Sequence, residues 1–447
     1  MSRVKWRVLA ALTIMLCLGL SQSLTAQFRG ARDPGVRKGP DGAGGMLPGL
    51  TAEQIEMFNT GLDEFVEEET VNDGLGPRFN AVGCAVCHVQ PATGGTSPAV
   101  NPLLRVGEGG DLGFKNAMPS FITPNGPIRE ARFQYKADGS RDGGVHALFV
   151  ISGHAAALSC TIKQENFETQ VINRNIIFRI PTPLFGAGLI ESITDHAILA
   201  NLSSSSFTKT SLGISGRPSR NGNDGRISRF GWKAQNPSLL VFSGEAYNVE
   251  MGITNEGFPI ERDETPSCQY ATVPNTVTPS VGEISPIENF ANFQRFLAPP
   301  TPVSSFTGAS PFSIVRGRQQ FTNLGCALCH TPQLHTNHKA TVTALANKTA
   351  ALYSDLLLHQ MGPGLADDIL QGAARGDEFR TAPLWGLGKR IFFLHDGRTD
   401  DLETAIKAHR SDGNQKFGPS EANRVIDNYN RLSEGEQQDL MNFLRSL

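Results

Sequence analysis

The chain has 447 residues, a formal net charge of −3 and 39% hydrophobic residues. A balance so near neutral excludes the basic surface that nucleic acid or an acidic membrane would require, so neither is expected as a partner. Its 47 glycines and 27 prolines argue for many loops around modest helices, and its 26 phenylalanines suit apolar pocket walls as readily as ordinary cores.

Arg3, Lys5 and Arg7 form a positive start, residues 8–20 an apolar run, and Leu24-Thr25-Ala26 a cleavage site before Gln27. Residues 1–26 therefore read as a secretory signal, because the apolar run is shorter than the roughly 20 residues of a spanning helix. Cys17 follows Leu16, which is too large for a lipoprotein site. The expectation is a soluble, exported, periplasmic protein that does not span a membrane. Residues 27–49, rich in glycine, arginine and proline, read as a flexible arm. Thr51 then caps a helix with Gln54 as its capping-box partner, and Ile55, Phe58, Leu62 and Phe65 share one face. The acidic run Glu67-Glu68-Glu69 ends it, since the macrodipole disfavours negative charge at a helix C-terminus.

The chemistry begins at Cys84-Ala85-Val86-Cys87-His88 and returns at Cys326-Ala327-Leu328-Cys329-His330. In a Cys-x-x-Cys-His unit the two thiols can add across the vinyl groups of one haem, and the adjacent imidazole reaches the iron from the same face. A lone Cys-x-x-Cys could be a disulfide or half a zinc site. Histidine follows both copies, however, and no further pair completes a zinc set. Two covalent haem c groups are therefore expected, on Cys84, Cys87, Cys326 and Cys329, with His88 and His330 on the irons. Of the seven cysteines, Cys160 and Cys268 remain, either as a disulfide or as two separate thiols.

After His88 a long insert follows. Residues 145–152 and 175–180 read as short strands, and Pro181-Thr182-Pro183-Leu184-Phe185-Gly186-Ala187-Gly188-Leu189-Ile190-Glu191 as a segment whose glycines let backbone approach a flat surface. Residues 203–206 and 221–225 are loops, 229–261 is mixed and acid-bearing, and the proline-rich 272–302 reads as a connection. A helix over 311–323 leads into Cys326, and another opens at Ser433 with Glu436, carrying Leu440, Phe443, Leu444 and Leu447 at helical spacing. The fold class expected is mainly α with many loops. It comprises two cytochrome c-like domains, 50–302 and 303–447, the first enlarged by the insert with its few short strands.

What fills the far side of each iron decides the function: a closed site transfers electrons, and an open one permits chemistry. Eight other histidines are available, at 146, 154, 196, 335, 338, 359, 395 and 409. His409 ends a short amphipathic helix over 402–408 and would face back across the domain toward His330, with Met361 and His359 as rivals.

The run Glu378-Phe379-Arg380-Thr381-Ala382-Pro383-Leu384-Trp385-Gly386-Leu387-Gly388, then Phe393-Leu394-His395-Asp396-Gly397-Arg398 and Leu402-x-x-Ala405-Ile406, resembles the C-terminal haem domain of bacterial di-haem peroxidases. More closely, the chain resembles the di-haem oxidoreductase/peroxidase family, also described as thiol-oxidoreductase-like. Phe79-Asn80-x-x-x-Cys84, Gly186-x-Gly188-Leu189-Ile190-Glu191 and Gly231-Trp232-Lys233-Ala234 have counterparts there. The resemblance implies a sixth ligand after the His-Asp-Gly segment. The peroxidases have methionine at the place where this chain has His409, which should lower the second haem's potential. They also carry a tryptophan soon after the first haem motif, and this chain has none between residues 88 and 231. Their acid–base residues therefore cannot be carried over by position. Glu191, a carboxylate beside the glycine-lined segment, is the candidate for moving peroxide protons, and reads equally as a helix-start glutamate. Trp232 is favoured over Trp385 as an electron bridge. The loop Asn221-Gly222-Asn223-Asp224 is similar to a calcium site, as the peroxidases have between their domains.

The resemblance implies an enzyme in which a small redox protein supplies the second haem with electrons and the first haem reduces peroxide or another small oxidant. Two alternatives stand beside it. One is a pure electron carrier, if His146 or His154 closes the first haem; the other is haem-dependent oxygenation of an apolar or protein substrate.

Overall fold

Capping chemistry starts the helices where the local sequence places it. A computed structural model describes residues 30–39, 42–76, 79, 81–107, 117–142, 144, 155–157, 160, 164–260, 266–268, 275 and 284–447. Among these the chain is mixed helical with a few short strands. The helices are α1 Ala52–Val66, α2 Leu103–Gly107, α3 Phe167–Ile172, α4 Ala187–Ser192, α5 Asp195–Ser203, α6 Ser206–Leu212, α7 Leu239–Met251, α8 Pro286–Phe296, α9 Pro311–Leu324, α10 Leu402–Lys407, α11 Asn423–Tyr429 and α12 Glu434–Ser446. The strands pair only as antiparallel two-stranded ribbons, such as Glu130–Phe133 with Ile176–Arg179. Capping boxes at Thr51/Gln54 and Ser433/Glu436 open α1 and α12 as expected.

Each Cys-x-x-Cys-His motif follows a helix that crosses another at a glycine. A methyl group on Gly61 of α1 would overlap the Asn289 carbonyl of α8, and one on Gly317 of α9 would overlap the Asp439 carbonyl of α12. The close approach lets Phe58, Phe65, Phe290 and Phe293 form one core, and Phe321, Leu440, Phe443 and Leu444 another. A third, including Leu47, Ile190, Ile193, Leu239, Leu334 and Trp385, joins residues from both halves of the chain. Gly317→Val should therefore cost about 1–3 kcal/mol through overpacking. An unchanged urea-unfolding midpoint would show that the two helices can separate at no cost.

Two expectations need correction. Residues 27–49 are not a free arm over their described part: Asp33 pairs with Arg445 of α12 (2.6 Å), both nearly inaccessible, and Leu47 is buried and donates its N–H to Phe296 O. An arginine-rich composition misleads here because one buried acid anchors the segment. Nor is 272–302 mainly a connection, because it contains α8, a core helix. Pro286 occupies its first turn, where a missing N–H costs nothing. The strand expected over 145–152 lies outside the described residues, whereas 175–180 does hold a strand, Ile176–Arg179.

Candidate haem crevices

Both motifs fold as a single tight helical turn, with His88 N bonded to Cys84 O (3.0 Å) and His330 N to Cys326 O (2.9 Å). The turn gathers two sulfurs and an imidazole at one wall of a cavity. All four motif cysteines are free thiols, whereas Cys160 and Cys268 form a disulfide. Burial pushes the Cys87 and Cys326 thiols up to about 12, so they remain uncharged.

The first cavity measures about 1380 Å³ including its open mouth, and is walled by Cys84, Cys87, His88, Phe65, Tyr247 and Trp232, among others. His88 Nδ1 bonds Gly95 O (3.0 Å) in a loop so tight that a side chain at Gly95 would overlap the Gln90 carbonyl. That contact fixes the ring and leaves Nε2 facing the cavity. Across from Nε2, at 3.8 Å, stands Glu250 Oε2 of α7, a side chain 46% exposed. Tyr247, one turn earlier, donates its hydroxyl to the buried Glu69 (2.6 Å). Close by, burial and then the charges of Glu67 and Glu69 push Glu64 up from 4.5 to about 7. Between those pH values the folded chain holds a proton that the unfolded chain has released, so this group's contribution to stability falls as pH rises. Glu64→Gln should remove that loss. Identical pH slopes for variant and wild type in urea unfolding would contradict the assignment.

The second cavity, about 1430 Å³ on the same measure, includes Cys326, Cys329, His330, Met361, His395 and His409 in its wall. His330 Nδ1 bonds Tyr353 O (3.0 Å) and His409 Nδ1 bonds Ala405 O (2.8 Å), so each ring keeps one free nitrogen. Burial lowers both imidazoles, His330 to about 4, which keeps their lone pairs available. Their centroids are 6.5 Å apart. Two imidazoles sharing one metal through bonds of about 2 Å would be separated by roughly that much. Of the rivals, His359 uses both nitrogens, on Asp355 (2.9 Å) and Glu421 (2.8 Å). Burial opposes its charge, but its two carboxylate partners, Asp355 and Glu421, outweigh burial and hold it protonated.

Haem also carries carboxylates, and the cavities hold cations to meet them. Arg380 and Arg390, both in the second wall, are pushed down to about 10 by burial, and no acid among the described residues answers either. Arg380 Nη1 has no partner, nor has Arg179 Nε, whose side chain lines the first cavity. Such orphaned donors are costly unless an anion occupies the space beside them. Free thiols, half-free imidazoles and unanswered guanidinium groups together fit haem.

Trp232 lines both cavities and the smaller space between them, held by Nε1–H to Ile180 O (2.9 Å), and its ring lies 6.4 Å from His395. Trp385 lines only the smaller space. Glu191 lines none of these cavities: it accepts from Leu239 N (2.8 Å) at the start of α7 and pairs with Arg295 (2.9 Å). The helix-start role is thus the one seen, at the start of another helix. The Asn221–Asp224 loop is a hairpin turn in which Asn221 Oδ1 accepts from Asn223 N and Asp224 pairs with Arg226. His146 and His154 lie outside the described residues. Glu250 and Tyr247 were missed from sequence, although Ser238 as N-cap and Gly252 as left-handed C-cap mark the ends of α7.

Two crevices of this kind in one chain define a di-haem redox protein. Residues 129–447 match the family described as "Di-haem oxidoreductase, putative peroxidase", and the chain belongs to it, with haem as cofactor. The first motif lies ahead of the matched residues. No curated protein matches the chain. Among solved structures it is similar to hydrazine synthase of Kuenenia stuttgartiensis (16% identity, 36% of this chain and 55% of that one, TM-score 0.24). It is also similar to a MauG-like protein associated with microbial copper homeostasis (16%, 60% and 91%, 0.27). A variant of the diheme peroxidase BthA from Burkholderia thailandensis is a third (13%, 94% and 91%, 0.28). This chain therefore spans only about half the length of the hydrazine synthase chain.

Proposed function

We propose that the chain is an exported di-haem c oxidoreductase with two cytochrome c-like haem domains. In this reading it reduces peroxide at the first site with electrons that a small donor protein delivers to the second. The observation that carries the reading is the difference between the crevices. His330 faces a second histidine, whereas His88 faces a carboxylate.

Haem, when bound, supplies an iron at each site that exchanges electrons, and at the first site one that a small oxidant can reach. The residues supply the rest. Cys84, Cys87, Cys326 and Cys329 anchor the vinyl groups, and carbonyls at Gly95 and Tyr353 orient the two motif histidines. His409 closes the second site. Glu250 takes a proton from the nearer peroxide oxygen and returns it to the farther one. Trp232 provides the aromatic path between the cavities. A role for Glu191 is then to hold α7, and with it Glu250, in place.

The Cys160–Cys268 disulfide supports an oxidising compartment, in line with export to the periplasm. No helix among the described residues is long and apolar enough to cross a membrane. The test is steady-state peroxide consumption with a reduced c-type donor; no turnover from either redox starting state would overturn the reading. For the second site, His409→Ala should convert one low-spin haem to high-spin, and an unchanged low-spin spectrum would remove His409 as ligand.

A further inference from the structure

We infer that Tyr247 and Glu69 form a redox-active pair that holds an oxidising equivalent beside the first haem. This rests on the peroxide-reducing reading above. Tyr247 is 4% exposed, lines the first cavity and packs edge-on against Phe290 at 4.6 Å. Its hydroxyl donates at 2.6 Å to a carboxylate that is itself only 9% exposed. A buried acid in so phenylalanine-rich a cluster is costly, and an apolar residue would fill the space more cheaply. The arrangement has a chemical use, because a phenol that loses an electron must lose its proton with it, and here the acceptor is already in place.

The contrast with Trp232 gives the two rings different tasks. The indole N–H of Trp232 points at a carbonyl, Ile180 O, which cannot take a proton. An electron vacancy on Trp232 therefore passes on. Tyr247 can keep one, as a neutral phenoxyl beside a protonated Glu69.

With haem bound, hydrogen peroxide would take two electrons from the first haem site and two protons from solvent, its O–O bond breaking to give two waters. Tyr247 returns one electron to that site, its O–H bond breaks, and the proton forms a new O–H bond on Glu69. The haem site is left one electron short and the phenoxyl holds the other deficit. This happens when the second haem is already oxidised and has no electron to give.

The fully oxidised di-haem protein, mixed with one equivalent of hydrogen peroxide and freeze-quenched, should show a tyrosyl radical by electron paramagnetic resonance, with hyperfine structure that collapses when the tyrosine rings are deuterated. Tyr247→Phe should reduce this signal at least tenfold. Glu69→Gln, which keeps the phenol but removes the acceptor, should slow its formation at least tenfold, and this variant decides the matter if Tyr247→Phe does not fold. A tyrosyl signal that survives in Tyr247→Phe overturns the inference. So does formation at the wild-type rate in Glu69→Gln, or haem absorption changes with no tyrosyl signal; in each case peroxide reduction itself stands. No haem response to peroxide overturns both readings together.

Discussion

Replacing Glu250 by glutamine should lower peroxide turnover about 100-fold or more, the usual effect of losing a positioned acid–base group. Glutamine keeps the size and polarity of the side chain but cannot carry a proton from one oxygen to the other. Glu250 is placed for that work because α7 carries it in the wall of the first cavity, across from His88. It is close to half exposed, so exchange of its proton with solvent is open. The absorption spectrum of the second haem should not change, since Glu250 does not line that cavity. Stopped-flow mixing of the variant with peroxide measures the effect. A loss of less than about tenfold would contradict an acid–base role, and the carboxylate would then be a bystander at the cavity mouth.

Asp367→Ala should destabilise the fold by about 3–5 kcal/mol, because it strands two buried cations. The Asp367 side chain is fully buried between Arg179 (2.6 Å) and Lys233 (2.8 Å), the latter also fully buried. Burial alone would raise this carboxyl, and the two cations outweigh it, so Asp367 stays ionised. Lys233 is pushed down to about 8, again by burial first, which shows how little solvent remains to help it once its partner is gone. The triad joins the strand Ile176–Arg179 to the Gly231–Ala234 loop that carries Trp232. Loss of Asp367 should therefore also slow electron exchange between the haems. Urea unfolding gives the energy directly, and a cost below about 1 kcal/mol would mean that water enters and screens the pair.

What could be read from the sequence was what is encoded locally. The two Cys-x-x-Cys-His units, the capping boxes of α1 and α12, and the helix before each motif all depend on residues within a few positions of one another. The position of His409 in the second cavity's wall was legible for a similar reason, at the end of a short helix with an evident inward face. Glu250 was not, because its meaning comes from a partner, His88, far away in the chain. Its helix α7 also carries apolar residues nearly all round, so it shows no amphipathic stripe to announce it. The N-terminal segment and α8 were misread through composition. One buried contact, Asp33 with Arg445, outweighs a run of glycines. Glu191 and Glu250 are both carboxylates near glycines and apolar residues, and only the fold separates the one that caps a helix from the one that faces a cavity.

If the first crevice is open to a small ligand and His409 closes the second, carbon monoxide titration of the fully reduced protein should show one equivalent bound per two haems, and His409→Ala should raise this to two. Zero equivalents would make the protein an electron carrier, and two equivalents in the wild type would remove His409 from the second iron.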